Sequence, residues 1–306
     1  MSDEQSWIAE RFVSIDGIRT RVLSVDGEGP TILLLHGFSD SADSFRPLLA
    51  ELAARSRRAV AVDLPGAGHA APMGRPPLSS LDRFVDGFVR EFAGDAGAVV
   101  AGNSLGGLLA LRAAARPDLP LVAAGGLCPG GLAYHRRLET LAQWVSRLDP
   151  VLRMVDYVPV PASLLRRLAQ SFYLRRLARG RGGAEIARLY AEHIGSRRDI
   201  SRIRRDLIAI HHDDTLLDSE ALRAIAVPVL LIWGDRDRLA DVSGAPALLD
   251  TVADSRLVLL ADCGHCPQVE YPQLTAELLA TLPASAMTPT ADEHPTPDPT
   301  VSQGSK

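Results

Sequence analysis

Short runs of residues that are apolar at every position recur along this chain, at Ile32-Leu33-Leu34-Leu35, Ala59-Val60-Ala61-Val62, Ala98-Val99-Val100-Ala101 and Val229-Leu230-Leu231-Ile232-Trp233. A strand with one wetted face would alternate apolar and polar residues, so continuous runs read as strands covered on both faces. Residues 121–127 and 256–260 add two more strands, and residues 11–13 and 20–25 form a hairpin turned by Asp16-Gly17, a pair that tolerates the positive φ of a tight hairpin. Helical spacing begins near Ser44, spans 81–92, restarts at 108–111 and closes the folded part through 274–279. Strands alternating with helices predict an α/β fold whose mostly parallel central sheet carries helices on both faces.

The pattern changes after Cys128-Pro129-Gly130-Gly131, where residues 133–214 are helical, strand-poor and rich in arginine. The strand–helix alternation resumes in 215–283, and residues 284–306 hold proline, threonine, serine and aspartate with few apolar groups, which predicts a disordered tail. The domains expected are therefore a core in two parts, 1–132 and 215–283, interrupted by the helical segment 133–214 and followed by the tail 284–306. Between Arg136 and Arg205 there are 16 arginines and six acids. That imbalance could steer an anionic substrate or touch an anionic membrane surface. The expectation adopted is plainer: arginines on solvated helix faces, with Trp144, Leu148, Val151, Leu152, Val155, Leu164, Leu165 and Leu168 packed onto the core. No internal repeat is present.

The chemistry centres on Gly102-Asn103-Ser104-Leu105-Gly106, which joins the apolar run 98–101 to the helix-forming run 108–111. A strand that turns through Gly-x-Ser-x-Gly into a helix lifts one hydroxyl clear of the backbone, and the glycines remove side chains that would collide. A serine hydroxyl is protonated at neutral pH, so it needs an imidazole as base, and the imidazole needs a buried carboxylate to hold it. His265, in Asp262-Cys263-Gly264-His265-Cys266-Pro267 directly after the strand 256–260, is the candidate base. Asp237, three residues past Gly234, is the candidate acid; Asp235 competes for that role but reads equally as a turn residue, and Asp241 as a solvated one.

In the order Ser104, Asp237, His265, and together with His36-Gly37-Phe38, Asp63-Leu64-Pro65-Gly66-Ala67-Gly68 and Gly264-His265-Cys266-Pro267-Gln268-Val269-Glu270, the chain resembles a capped α/β-hydrolase along nearly its whole length. The resemblance implies the α/β-hydrolase fold with a helical cap inserted after strand 6, and an oxyanion hole made by the backbone N–H groups of Phe38 and Leu105. It implies a serine hydrolase that cleaves carboxylic esters through an acyl-enzyme, with no metal and no organic cofactor. Dehalogenases and epoxide hydrolases of this fold place aspartate at the elbow, against Ser104. Carbon–carbon bond hydrolases of the meta-cleavage type use serine but usually follow the histidine with an aromatic residue, where this chain has Cys266, so they stand second. Lipases, thioesterases, lactonases and perhydrolases share the machinery. A non-enzymatic binding module is a third class, disfavoured because no member of the triad is missing.

Composition narrows the picture further. With 46% apolar and 23% charged residues among 306, the chain has material for one core and a lid, and a net charge of −4 argues against generic nucleic-acid binding. The polar start Met1-Ser2-Asp3-Glu4-Gln5-Ser6 carries no secretory pattern, and three cysteines read as small buried residues, which together predict a cytoplasmic protein. Residues 96–115 are apolar enough to suggest a membrane span, but Asn103, Ser104 and Arg112 fit strand, elbow and helix instead. Cys263-Gly264-His265-Cys266 spells a dithiol redox centre yet follows the last strand with no thioredoxin-sized unit around it. A zinc site of Cys128, Cys263, Cys266 and His265 lacks a second paired-ligand motif and would consume the base. Neighbours in His211-His212-Asp213-Asp214 point apart, so that stretch reads as a hinge, and His69 reads as a structural or rim residue. The partner expected is a small ester; the sequence leaves oligomeric state open.

Overall fold

The computed structural model describes residues 7–72, 77–133, 136–155, 160–178, 183–211 and 219–285. Its elements run β1 (Ala9–Ile15), β2 (Ile18–Val25), β3 (Glu28–Leu35), α1 (Arg46–Ala54), β4 (Arg57–Val62), α2 (Pro77–Phe92), β5 (Ala98–Asn103), α3 (Leu105–Ala114) and β6 (Leu121–Leu127). Five helices follow: α4 (Arg136–Arg147), α5 (Asp149–Val155), α6 (Ala162–Phe172), which continues into a π-helical turn Tyr173–Leu177, α7 (Gly183–Glu192) and α8 (Arg197–His211). The chain then returns through α9 (Ser219–Arg223), β7 (Val229–Gly234), α10 (Ala245–Leu249), β8 (Ser255–Leu260), α11 (Pro267–Glu270) and α12 (Pro272–Ser285).

The eight strands make one sheet in the order β1-β2-β4-β3-β5-β6-β7-β8. Only β1–β2 and β2–β4 pair antiparallel; every other neighbour is parallel. Asp16 and Gly17 both take positive φ, +48° and +74°, as the hairpin turn requires. The parallel strands are apolar at every position because each feeds two cores. Leu33 and Leu35 of β3 enter the layer under α2 and α3 with Phe84, Phe88 and Leu109, while Ile32 and Leu34 enter the opposite layer under α1 and α12 with Phe45, Leu48 and Leu279. The parallel strands run the same way, so their C-terminal ends share one edge of the sheet. There lie His36, Ser104 and Cys128, and the chain after β7 and β8 delivers Asp237 and His265.

Several local expectations shift. The helix expected from Ser44 starts as a 3-10 turn, Ala42–Phe45, capped by Ser41, before α1 begins. The helix expected at 81–92 opens earlier, at Pro77, whose fixed φ suits a first turn. Residues 286–306, most of the expected tail, and the hinge residues His212, Asp213 and Asp214 lie outside the described residues.

The larger correction concerns the segment between β6 and β7. Trp144, Leu148, Val151, Leu164 and Leu168, expected to pack on the core, are exposed, Leu152 and Leu165 are only half-buried, and Val155 is not among the side chains described. What this segment does bury is a separate small cluster: Ala169, Tyr173, Ile186, Ala187, Tyr190 and Ile194 close on Cys266 and Val269.

Candidate active site

Ser104 occupies the bend between β5 and α3 with φ 54° and ψ −113°, a conformation that costs a non-glycine residue about 1–3 kcal/mol and persists only when the surroundings over-determine it. They do so by close approach: a Cβ on Gly106 would lie 2.0 Å from the Leu35 carbonyl oxygen, and one on Gly102 2.3 Å from the Gly106 backbone. The Ser104 amide donates to the Leu127 carbonyl at 3.0 Å, and the side chain is half-buried.

The candidate base and the candidate acid meet. His265 Nδ1 lies 2.8 Å from Asp237 Oδ2, and both side chains are buried. The other carboxylate oxygen, Oδ1, accepts the backbone N–H groups of Leu239 at 2.8 Å and Ala240 at 3.2 Å. Burial alone would raise the Asp237 pKa, but the adjoining imidazole and these N–H donors outweigh it and hold the group below the ordinary carboxylate value. An ionised Asp237 accepts the Nδ1–H of His265, which leaves Nε2 unprotonated and able to accept a proton. Asp235, the competitor, is exposed, and Asp241 instead caps the 3-10 turn after β7 by accepting the Ser243 amide at 3.0 Å.

A residue the sequence reading passed over ties the histidine's backbone to the serine elbow. Asn103 Nδ2 donates to the His265 carbonyl at 2.8 Å and to the Leu127 carbonyl at 3.0 Å, so the residue beside Ser104 grips the histidine's own backbone. From the other side the His265 amide donates to the Leu177 carbonyl at 2.8 Å, tying the histidine loop to the π-helical turn. Asn103→Ala is expected to lower kcat about 10-fold with little change in KM, since it loosens the loop that carries His265 without removing the imidazole; steady-state kinetics on an ester checks this.

The loop after β3 is held as firmly. His36 donates from Nδ1 to the Gly37 carbonyl at 2.7 Å and accepts the Leu64 amide on Nε2 at 2.9 Å, and burial keeps its pKa below the ordinary histidine value. Phe38 and Leu105 line one narrow cavity of about 30 Å³ with Gly37 and Leu64, roofed by Ile203 and Ile210 of α8. Leu105 is the first residue of α3, where a backbone N–H has no partner within the helix.

Behind this loop Arg21 is buried between Asp63 and Asp43, donating from Nε to Asp63 Oδ2 at 2.9 Å and from Nη2 to Asp43 Oδ2 at 2.6 Å. Nearby Asp40 is buried, which pushes its pKa up to about 7. A group whose folded pKa lies above its unfolded value stabilises the fold only below that range and is a liability above it. Asp40→Asn is therefore expected to raise stability by roughly 2 kcal/mol at pH 8 and to change it little at pH 4, read by urea unfolding.

All three cysteines are free, buried thiols. Cys128, Asp237 and His265 place one potential ligand atom each within 4.8 Å of one another, whereas Cys266 Sγ faces Asn103 Oδ1 at 3.9 Å and Tyr173 Oη at 4.0 Å, so the four-residue zinc set does not assemble. His69 is exposed and stacks edge-on against His193 and Phe12.

Among known proteins, the family model described as "Alpha/beta hydrolase family" matches residues 32–278. The chain is similar to monoacylglycerol lipase ABHD6 of Bos taurus, 28% identical over 270 residues, covering 85% of this chain and 77% of that one. It is also similar to the 2-hydroxy-6-oxo-6-(2'-aminophenyl)hexa-2,4-dienoic acid hydrolase of Metapseudomonas resinovorans, 24% identical over 282 residues, covering 88% of this chain and 89% of that one. Among solved structures it superposes on a bacterial membrane phospholipase A with TM-score 0.69, at 24% identity and covering 91% of this chain and 86% of that one. It superposes on the carboxylesterase CesB of Bacillus subtilis with TM-score 0.68, at 17% identity and covering 90% and 91%. At these identities the superpositions speak for the fold.

Proposed function

The chain belongs to the alpha/beta hydrolase family, and from that premise we propose that it is a serine hydrolase cleaving carboxylic esters, with Ser104 as nucleophile, His265 as base and Asp237 as the acid that orients it. The observation that carries this reading is the 2.8 Å His265–Asp237 contact held against the serine elbow by Asn103. In the first half-reaction Ser104 Oγ attacks the ester carbonyl while His265 Nε2 takes the hydroxyl proton. The carbonyl oxygen becomes an oxyanion that the backbone N–H groups of Phe38 and Leu105 stabilise, aided by the positive end of α3. Collapse breaks the bond to the alcohol, which leaves with the proton from His265. Water then repeats the cycle on the acyl-enzyme, releasing the acid and restoring Ser104.

In this reading residues 133–214 are a cap over the site. A narrow cavity bordered by Phe38 and Leu105 runs beneath α8, next to the serine elbow. The buried free thiols support the cytoplasmic setting expected from the sequence, and among the described residues no helix is long and apolar enough to cross a membrane.

The test is a fluorophosphonate probe followed by a series of nitrophenyl esters. Labelling of Ser104 with ester turnover is the expected result, and absence of labelling in folded protein overturns the proposal. The similarity to the dienoic acid hydrolase keeps one second reading: labelling with no ester turnover, while a vinylogous 1,5-diketone acid is cleaved, would assign carbon–carbon bond hydrolysis.

A further inference from the structure

Nine of the 13 large apolar side chains that stand exposed among the described residues fall between Trp144 and Ile200, in the helices inserted between β6 and β7. They are not scattered. Leu164, Leu168 and Phe172 recur every fourth residue and form one stripe down α6, exposed to 46%, 59% and 45%. Trp144, Leu148 and Val151 repeat the pattern along α4 and α5. The inward side of α6 is already served, since Ala169 and the following Tyr173 pack on Ile186, Ala187 and Tyr190. The outer stripe is therefore surplus to what holds these helices in place, and surplus apolar surface of this extent marks an interaction site.

The charge around the stripe identifies its partner. Arg167 on α6, and Arg175 and Arg176 on the π-helical turn, are exposed and have no carboxylate partner among the described residues, whereas Arg166 shares the inward side of α6 with Ala169 and Tyr173 and lies against Gly195. The exposed acids of α7 are Glu185 and Glu192, and the latter is taken by Arg188 at 2.6 Å. Residues 136–205 hold ten more arginines than acids on a chain of net charge −4, which leaves −14 for the rest. The molecule is thus polarised, and an anionic surface would attract this face and repel the others. An apolar stripe flanked by guanidinium groups matches the boundary of a bilayer, where the apolar side chains enter the acyl layer and the arginines reach the phosphates. Each signal alone binds weakly; the pair gives stable association.

We propose that the helical segment between β6 and β7 is an interfacial docking surface for anionic lipid bilayers, seated through the Leu164–Leu168–Phe172 stripe and its flanking arginines. The full chain would be sedimented with vesicles of phosphatidylcholine, with and without phosphatidylglycerol, at low and high salt. Expected is binding about 10-fold or more tighter to the anionic vesicles, weakened about 10-fold by high salt. The double variant Leu168→Ser, Phe172→Ser is expected to bind about 10-fold more weakly while short-chain ester turnover without lipid is unchanged. Arg175→Gln with Arg176→Gln should remove most of the preference for phosphatidylglycerol, and this second variant leaves the apolar stripe intact. Equal or absent binding to the two vesicle types, or full binding by both variants, overturns the proposal. So does a dimer in light scattering that the Leu168→Ser, Phe172→Ser variant splits while vesicles are ignored, because the stripe then belongs to a second copy. Vesicle binding does not depend on the serine, so a chain that binds lipid but resists fluorophosphonate would sink the hydrolase reading alone.

Discussion

Ser104→Ala is expected to lower kcat/KM for an ester by about 10⁴-fold or more and to abolish fluorophosphonate labelling, leaving only the turnover that binding and the oxyanion donors support without a nucleophile. The loss must be chemical and not structural. Alanine keeps the same strained φ of 54° and loses one oxygen, so urea unfolding should place Ser104→Ala near the parent in stability. A sharper version uses the strain itself. Ser104→Gly removes the hydroxyl and also the Cβ that makes this conformation costly, so it is expected to be as inactive as Ser104→Ala and about 1 kcal/mol more stable than it, after the larger entropy of an unfolded glycine is set against the relief. If Ser104→Gly instead matched or fell below Ser104→Ala, the elbow would not be a reservoir of strain. Residual activity within about 10-fold of the parent in either variant would remove Ser104 from the nucleophile's role.

The parts of this molecule that were legible in the sequence are those set by neighbours along the chain. Asp16-Gly17 fixes a hairpin because two adjacent residues can take positive φ, and Leu33 and Ile32 declare a doubly covered strand because successive side chains must enter opposite layers. Ser104, Asp237 and His265 could be named as candidates because each ends or follows a strand of a parallel sheet, which gathers such ends at one edge. Contacts that depend on distant chain were not legible. Nothing local to Asn103 says that its amide will hold the carbonyl of His265, 162 positions away. Nothing local to Arg21 says that it will lie between Asp43 and Asp63. The helices between β6 and β7 failed differently. Their spacing correctly shows amphipathic faces, but periodicity cannot say whether an apolar face meets the core, and the stripe on α6 meets solvent.

Arg21→Met tests the buried charge network beneath the site and is expected to destabilise the fold by about 3–5 kcal/mol at pH 7. Methionine fills much of the volume, so packing is not what is lost. What is lost is the cation between two carboxylates that are themselves inaccessible: Asp63 also accepts the Ala42 and His69 amides at 2.8 and 2.9 Å, and Asp43 accepts Arg46 Nε at 2.7 Å. In the parent, burial alone would raise the Asp43 pKa, but His193 and Arg21 outweigh it and hold the group below the ordinary carboxylate value. A lowered carboxylate pKa gives stability that is present above about pH 4 and lost as the pH falls further, so the parent should weaken in acid. Without Arg21 the balance at Asp43 shifts toward the burial effect. Its folded pKa then rises, and the penalty for keeping it charged is largest at neutral pH and relieved by protonation. The difference between parent and variant should accordingly shrink as the pH is lowered from 7 to about 4.5, measured by urea unfolding across that range. A difference that stayed constant with pH would mean that Arg21 acts through packing and not through its charge. Because this network anchors the turn at Ala42–Phe45 and the loop through His69, both next to His36 and Phe38, the variant should also lose activity in parallel with its stability, and at low pH should recover neither in full.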